Sequence, residues 1–292
     1  MKNLDNNQVK WGDKHPIGHA LVVTAISIIA IAVASMIIQV IGGIIVMAQR
    51  GNLTRDGFSN LGIASTVIEM IGYVIILLIF WFKFRKELNG FFSVKGLGIG
   101  ILLCWSELAV NAFLLINGII EHQAYGNFGM ALIQGAQPGI SEEILYRIIP
   151  LSIAMRSSKR DQLVVPAAIF TSVIFGLSHG INIFSGADPV TTMFQVTYSI
   201  CVGLLFSAIY LRTGNLWISI VMHTMTDVIC SLSASMQSDN GVLTQNYGFV
   251  GAIFQLTCAA LYLINALYIF RRSKRAGIPD KWADIWNAKE EQ

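Results

Sequence analysis

"SEEILYRIIP" (141–150) sets Glu142, Glu143 and Arg147 inside an otherwise apolar stretch, and "LSIAM" (151–155) resumes the apolar run. Spacing sorts the three charges. Glu143 and Arg147 are four apart, so on a helix they share a face and can pair. Glu142 is turned about 100° away on the same helix and is not satisfied by that pair. A free carboxylate beside a held one is how a general base would be presented.

The surrounding sequence makes those charges costly. Of 292 residues, 54% are hydrophobic and only 13% charged, about half the charged share of an average soluble domain. The mean hydropathy is +0.61, and several apolar runs are long enough to cross a hydrocarbon core. The expected fold is all-α: a polytopic membrane protein of about eight transmembrane helices around a polar intramembrane cavity. The helices fall near 20–48, 61–84, 97–119, 128–155, 163–183, 190–212, 215–235 and 248–270. This gives an N-terminal cytoplasmic segment (1–19), one helical membrane domain (20–270, with its motif core at 140–235) and a basic, amphipathic cytoplasmic tail (271–292). The run from Ala20 to about Met47 is too long for a signal-peptide core, and "AVA" (32–34) is followed by further apolar residues, so an uncleaved first span is expected. Pro138 and Gly139 interrupt the fourth helix, which is expected to be broken or tilted.

Loop charge gives the orientation. Lys10, Lys14, Lys83, Arg85, Lys86, Lys95, Arg156, Lys159, Arg160, Arg212 and "RRSKR" (271–275) fall on one side of an even number of spans, against Arg50 and Arg55 on the other. Positive-inside counting puts both termini in the cytoplasm. In the tail, Trp282, Ile285 and Trp286 have helical spacing, which suits a helix lying on the membrane interface or a frayed amphipathic end. The net charge of +3 is small and offers no nucleic-acid surface. Cys104, Cys201, Cys230 and Cys258 match no zinc or CxxC spacing and read as packing residues.

Eight ionisable residues fall within the spans: Glu69, Glu107, Glu142, Glu143, Arg147, His179, His223 and Asp227. Each costs free energy in hydrocarbon, on the order of 2.5–3.5 kcal/mol for Asp or Arg on insertion scales. One arginine cannot neutralise five acids, which points to a wet polar cavity rather than one buried salt bridge. His179 lies in "FGLSHG" (175–180), one turn after Phe175; His223 and Asp227 lie on one face of "HTMTD" (223–227). A carboxylate base, two imidazoles and a second carboxylate suit activation of a water and stabilisation of an oxyanion. They also suit zinc hydrolysis through Glu142, His179 and His223, although HExxH is absent.

These three clusters, in this order, resemble the CPBP family of intramembrane proteases, which includes the CAAX prenyl endopeptidases of the Rce1 type and bacterial relatives. "EEILYR" is similar to the family's EExxxR motif, "FGLSH" to FxxxH, and "HTMTD" to the third motif; "YLRTGNLWISIVMH" (210–223) resembles the approach to it. The resemblance implies that Glu142 activates water with help from His179. It implies that Glu143 pairs with Arg147, and that His223 and residue 227 hold the oxyanion. Asp227 stands where the prototype has Asn, and Ile148 where Gly is common. Members are described both as metalloproteases and as metal-free glutamate enzymes; the lack of a dense ligand spacing favours the metal-free version over zinc. The implied partners are the lipid bilayer and peptide or membrane-protein substrates, in a bacterial plasma membrane, without prenyl cleavage. Two rival readings are a non-catalytic immunity or scaffold protein on the same fold and, because of Glu69 and Glu107, a proton-coupled transporter. The transporter would favour inverted repeats, and none is visible.

Overall fold

The computed structural model describes residues 15–50, 67, 70–75, 78–79, 96–156, 163–233 and 248–287; some side chains within 16–50, that of Ser185 and those of 283–287 are not described. Glu69, Lys10, Lys14, Arg55, Lys83, Arg85, Lys86, Lys95, Lys159 and Arg160 lie outside the described residues, as does most of the expected second helix, and the side chains of Arg50, Ile285 and Trp286 are likewise undescribed.

The described chain is helical. Its elements are α1 (Pro16–Arg50), α2 (Leu97–Leu103), α3 (Trp105–Ile120), α4 (Phe128–Glu143), a π-turn (Ile144–Ile148), α5 (Ile149–Arg156), α6 (Val164–Ser178), a 3₁₀ segment (His179–Ser185), α7 (Pro189–Thr213), α8 (Trp217–Ser231), α9 (Gly248–Phe270) and, after a single turn at Arg272–Arg275, α10 (Ile278–Asn287). Among the described residues the only β pairing is an isolated bridge between Tyr125 and Ser233.

Among the described residues, three segments are long and apolar enough to cross a membrane: Val164–Phe184, Pro189–Thr213 and Gly248–Phe270. A fourth is counted if α2 and α3, bent by 63° at Cys104, form one broken span. The expected third helix is therefore two. Large apolar side chains such as Ile26, Ile44, Leu102, Ile119 and Ile264 point outward. A water-soluble surface would not carry apolar exposure on that scale, and the chain is an integral membrane protein.

The expected break at Pro138 does not occur. α4 runs through it; Pro138 lacks only the N–H that would have reached Gln134. Gly139 has another use. A methyl group built on it would come within 2.8 Å of Thr224 Cα, and one on Gly135 within 2.9 Å of Val228 Cα. Gly135 and Gly139 form a GxxxG stripe on which α8 lies antiparallel with backbone near backbone. The real irregularity begins five residues after Gly139, at Ile144. Pro150 cannot donate, and its ring crowds the carbonyl of Tyr146 in an α register. The backbone responds with a π-turn, in which the Ile149 N–H reaches Ile144 O five residues back.

α7 is bounded at both ends by its own sequence. Asp188 accepts from the Thr191 N–H at 2.8 Å, and Pro189 follows where no N–H is needed. The backbone amides facing Asp188 hold its carboxyl below the usual carboxylate range. At the other end Gly214 takes a left-handed φ of 69° and its N–H caps Tyr210 O. The Asn215 side chain then accepts from the Trp217 N–H at 2.9 Å and starts α8. This turn aims α8 back through the bundle.

The tail differs from the expected interfacial helix. Trp282 is buried, stacks edge-on against Tyr210 at 5.3 Å between centroids, and donates Nε1–H to Leu211 O at 2.9 Å. Lys281 donates to Arg212 O and Thr213 O. α10 is thus docked on the C-terminal end of α7, where it supplies donors to the carbonyls of Leu211, Arg212 and Thr213.

Candidate active site

The three sequence clusters converge. α4 and its π-turn bring Glu142, Glu143 and Arg147; α6 brings Phe175 and, at its end, His179; α8 brings His223 and Asp227.

Glu143 is the anchor. Its Oε1 accepts from Arg147 Nη1 at 2.8 Å and from His223 Nδ1–H at 2.8 Å. Glu143 and Arg147 are both fully buried. Arg147 lays its guanidinium over the Phe175 ring, 3.8 Å from the centroid, and Gly203 of α7 leaves the space for it. Phe175 is also the shared wall of the site, 4.9 Å from the His179 ring and 6.0 Å from the His223 ring.

Glu142 differs from its neighbour. Its side chain keeps 29% exposure and Asp227 keeps 30%, against 0% for Glu143. The 100° turn read from sequence therefore separates an accessible carboxylate from a sealed one. His223 joins them: with Nδ1 held by Glu143, its Nε2 faces Glu142 Oε2 at 3.6 Å and Asp227 Oδ2 at 3.3 Å.

His179 has a fixed tautomer. Its Nδ1 lies 3.0 Å from Phe175 O. A carbonyl only accepts, so Nδ1 carries the hydrogen and Nε2 presents a lone pair. Among the described residues no ion pair joins His179 to Glu142; the imidazole that approaches Glu142 is His223. Among the described residues, too, no three His, Cys, Asp or Glu side chains stand in an arrangement that would hold a metal ion. The Glu142–His179–His223 set does not fit zinc as it stands.

Two features of this neighbourhood carried no functional reading in sequence. The Gly135–Gly139 stripe sets the distance between α4 and α8, and its four-residue spacing was the available signal. Thr226 hydrogen-bonds Glu107 across to α3; a threonine in an apolar helix offers no signal of its own.

No curated protein and no solved structure matches the chain. Residues 124–229, which hold all three motifs and the glycine stripe, match the family model described as type II CAAX prenyl endopeptidase Rce1-like.

Proposed function

We propose that the protein is an intramembrane endopeptidase that hydrolyses peptide bonds with a water activated by Glu142. The observation that carries this reading is the accessible Glu142 carboxylate 3.6 Å from an imidazole whose far nitrogen is anchored on a sealed ion pair. Glu142 takes a proton as the water oxygen attacks the scissile carbonyl. The tetrahedral oxyanion is stabilised by protons held at His223 and Asp227. Collapse returns the proton from Glu142 to the departing amine. His179, with its free Nε2, positions the water or the amine across Phe175.

Substrates in this reading are peptides or membrane-protein tails that enter from the bilayer. The full bundle has about eight spans around a water-accessible cavity, with both termini cytoplasmic.

The test is a comparison of peptides released from membranes that hold the wild type or Glu142→Gln, read by mass spectrometry. Cleavage products that appear only with the wild type support the reading. Identical peptide sets from both would overturn it and leave a non-catalytic protein on this fold.

A further inference from the structure

α8 is gripped from two sides. On the α4 side, Glu143 holds His223. On the α3 side, two residues one turn apart, Glu107 and Asn111, converge on a single hydroxyl of α8. Thr226 donates to Glu107 Oε1, and Asn111 Nδ2 donates to Thr226 Oγ1 at 2.9 Å. Glu107 and Asn111 are 1% and 2% exposed, so neither is there for solvation. Thr226 follows His223 by three residues and directly precedes Asp227. α3 is itself braced just past its bend, where Asn265 of α9 donates to Leu103 O at 2.8 Å and Ser106 Oγ at 2.9 Å.

From this we infer that Glu107 is a positioning residue: through Thr226 it fixes the rotation of α8, and so the placement of His223 and Asp227 against Glu142. The magnitudes make this consequential. A helix with side chains has a radius of about 5–6 Å, so a turn of about 10° displaces the imidazole by about 1 Å. A misplacement of about 1 Å can cost about 10²-fold in rate. The apolar bilayer supplies no water to replace the hydrogen bond, so a hydroxyl that loses it falls back on an acceptor of its own helix. Thr226 has one in reach, Met222 O at 3.1 Å, and that bond holds nothing outside α8.

The inference rests on the peptidase reading only for its activity arm; the geometric arm stands apart. The experiment uses full-length protein in lipid nanodiscs with ¹⁵N-labelled histidine, and His223→Gln assigns the His223 signal. Glu107→Ala and the nearly isosteric Thr226→Val should each shift the His223 Nδ1–H resonance. They should also lower kcat/KM about 10²-fold through kcat, with KM unchanged. The double variant should be no worse than Thr226→Val alone, because that change already removes the hydroxyl on which both Glu107 and Asn111 act. Glu107→Gln and Thr226→Ser, which keep the accepting oxygen and the hydroxyl, should restore both signals. A His223 resonance unmoved in Glu107→Ala and Thr226→Val overturns the positioning role, whatever the activity does. So do additive losses. If the wild type cleaves nothing, the resonance still decides the positioning role while the peptidase reading falls.

Discussion

Glu142 and Glu143 are neighbours in the chain and opposites in the fold. One keeps 29% exposure near two other titratable groups; the other is sealed, with Arg147 and His223 on one oxygen. The same side chain on the same helix is thus left accessible or sealed as an anchor, according to a rotation of about 100°. The difference teaches that a buried charge in a membrane need not be the reactive one. Here the sealed charge fixes the imidazole that the exposed one faces.

The largest effect expected from this contrast is on rate. Glu142→Gln removes the base without changing size and should lower hydrolysis about 10²–10⁴-fold, with thermal unfolding in detergent near wild type. Glu143→Gln should act the other way round. It strands Arg147 in a low-dielectric site at about 3–5 kcal/mol, so its unfolding temperature should fall well below that of Glu142→Gln. The reverse order of the two melting temperatures would break the contrast. Gly139→Ala tests the interface that brings the anchor to His223. The added methyl meets the Thr224 backbone, and overpacking of this kind costs about 1–3 kcal/mol, measurable as a lower denaturation midpoint.

Asp227 sharpens the accessible half. If it contributes a proton to the oxyanion, Asp227→Asn should keep most activity, because an amide also donates, whereas Asp227→Ala should lose about 10²–10³-fold. Chelators should leave the wild type active. The smallest effect is expected far from the site. Asp188→Ala removes the cap of α7 and should lower the unfolding temperature at neutral pH. Because the folded state holds the Asp188 carboxyl below its ordinary pKa, its stabilisation is present above the unfolded value and is lost as pH falls through the folded one. The two proteins should therefore converge in stability in acid.

The helical class and the Glu143–Arg147 pair were legible because both are local: hydropathy over a run, and a spacing of four. The link from His223 to Glu143 was not, because it crosses 80 residues of chain and depends on how α8 lies on α4. That register is written in Gly135 and Gly139. Beside Pro138, Gly139 reads as a helix break; its role shows only when the partner backbone is seen against it. The π-turn was equally hidden, since Pro150 signals a disturbance without saying whether the helix kinks, ends or widens. The tail shows the same limit. An amphipathic helix has an apolar face, and sequence does not say whether lipid or the end of α7 covers it.

The separation between Glu143 and His223 also has a meaning in time. At about 5–20 residues per second, His223 leaves the ribosome roughly 4–16 s after Glu143. Throughout that interval the carboxylate is already in a segment bound for the bilayer, while the imidazole that will share it does not exist. Arg147, four residues behind, is made within about a second and partners Glu143 at once. The local pair is therefore complete in the chain before the helix that uses it has been made.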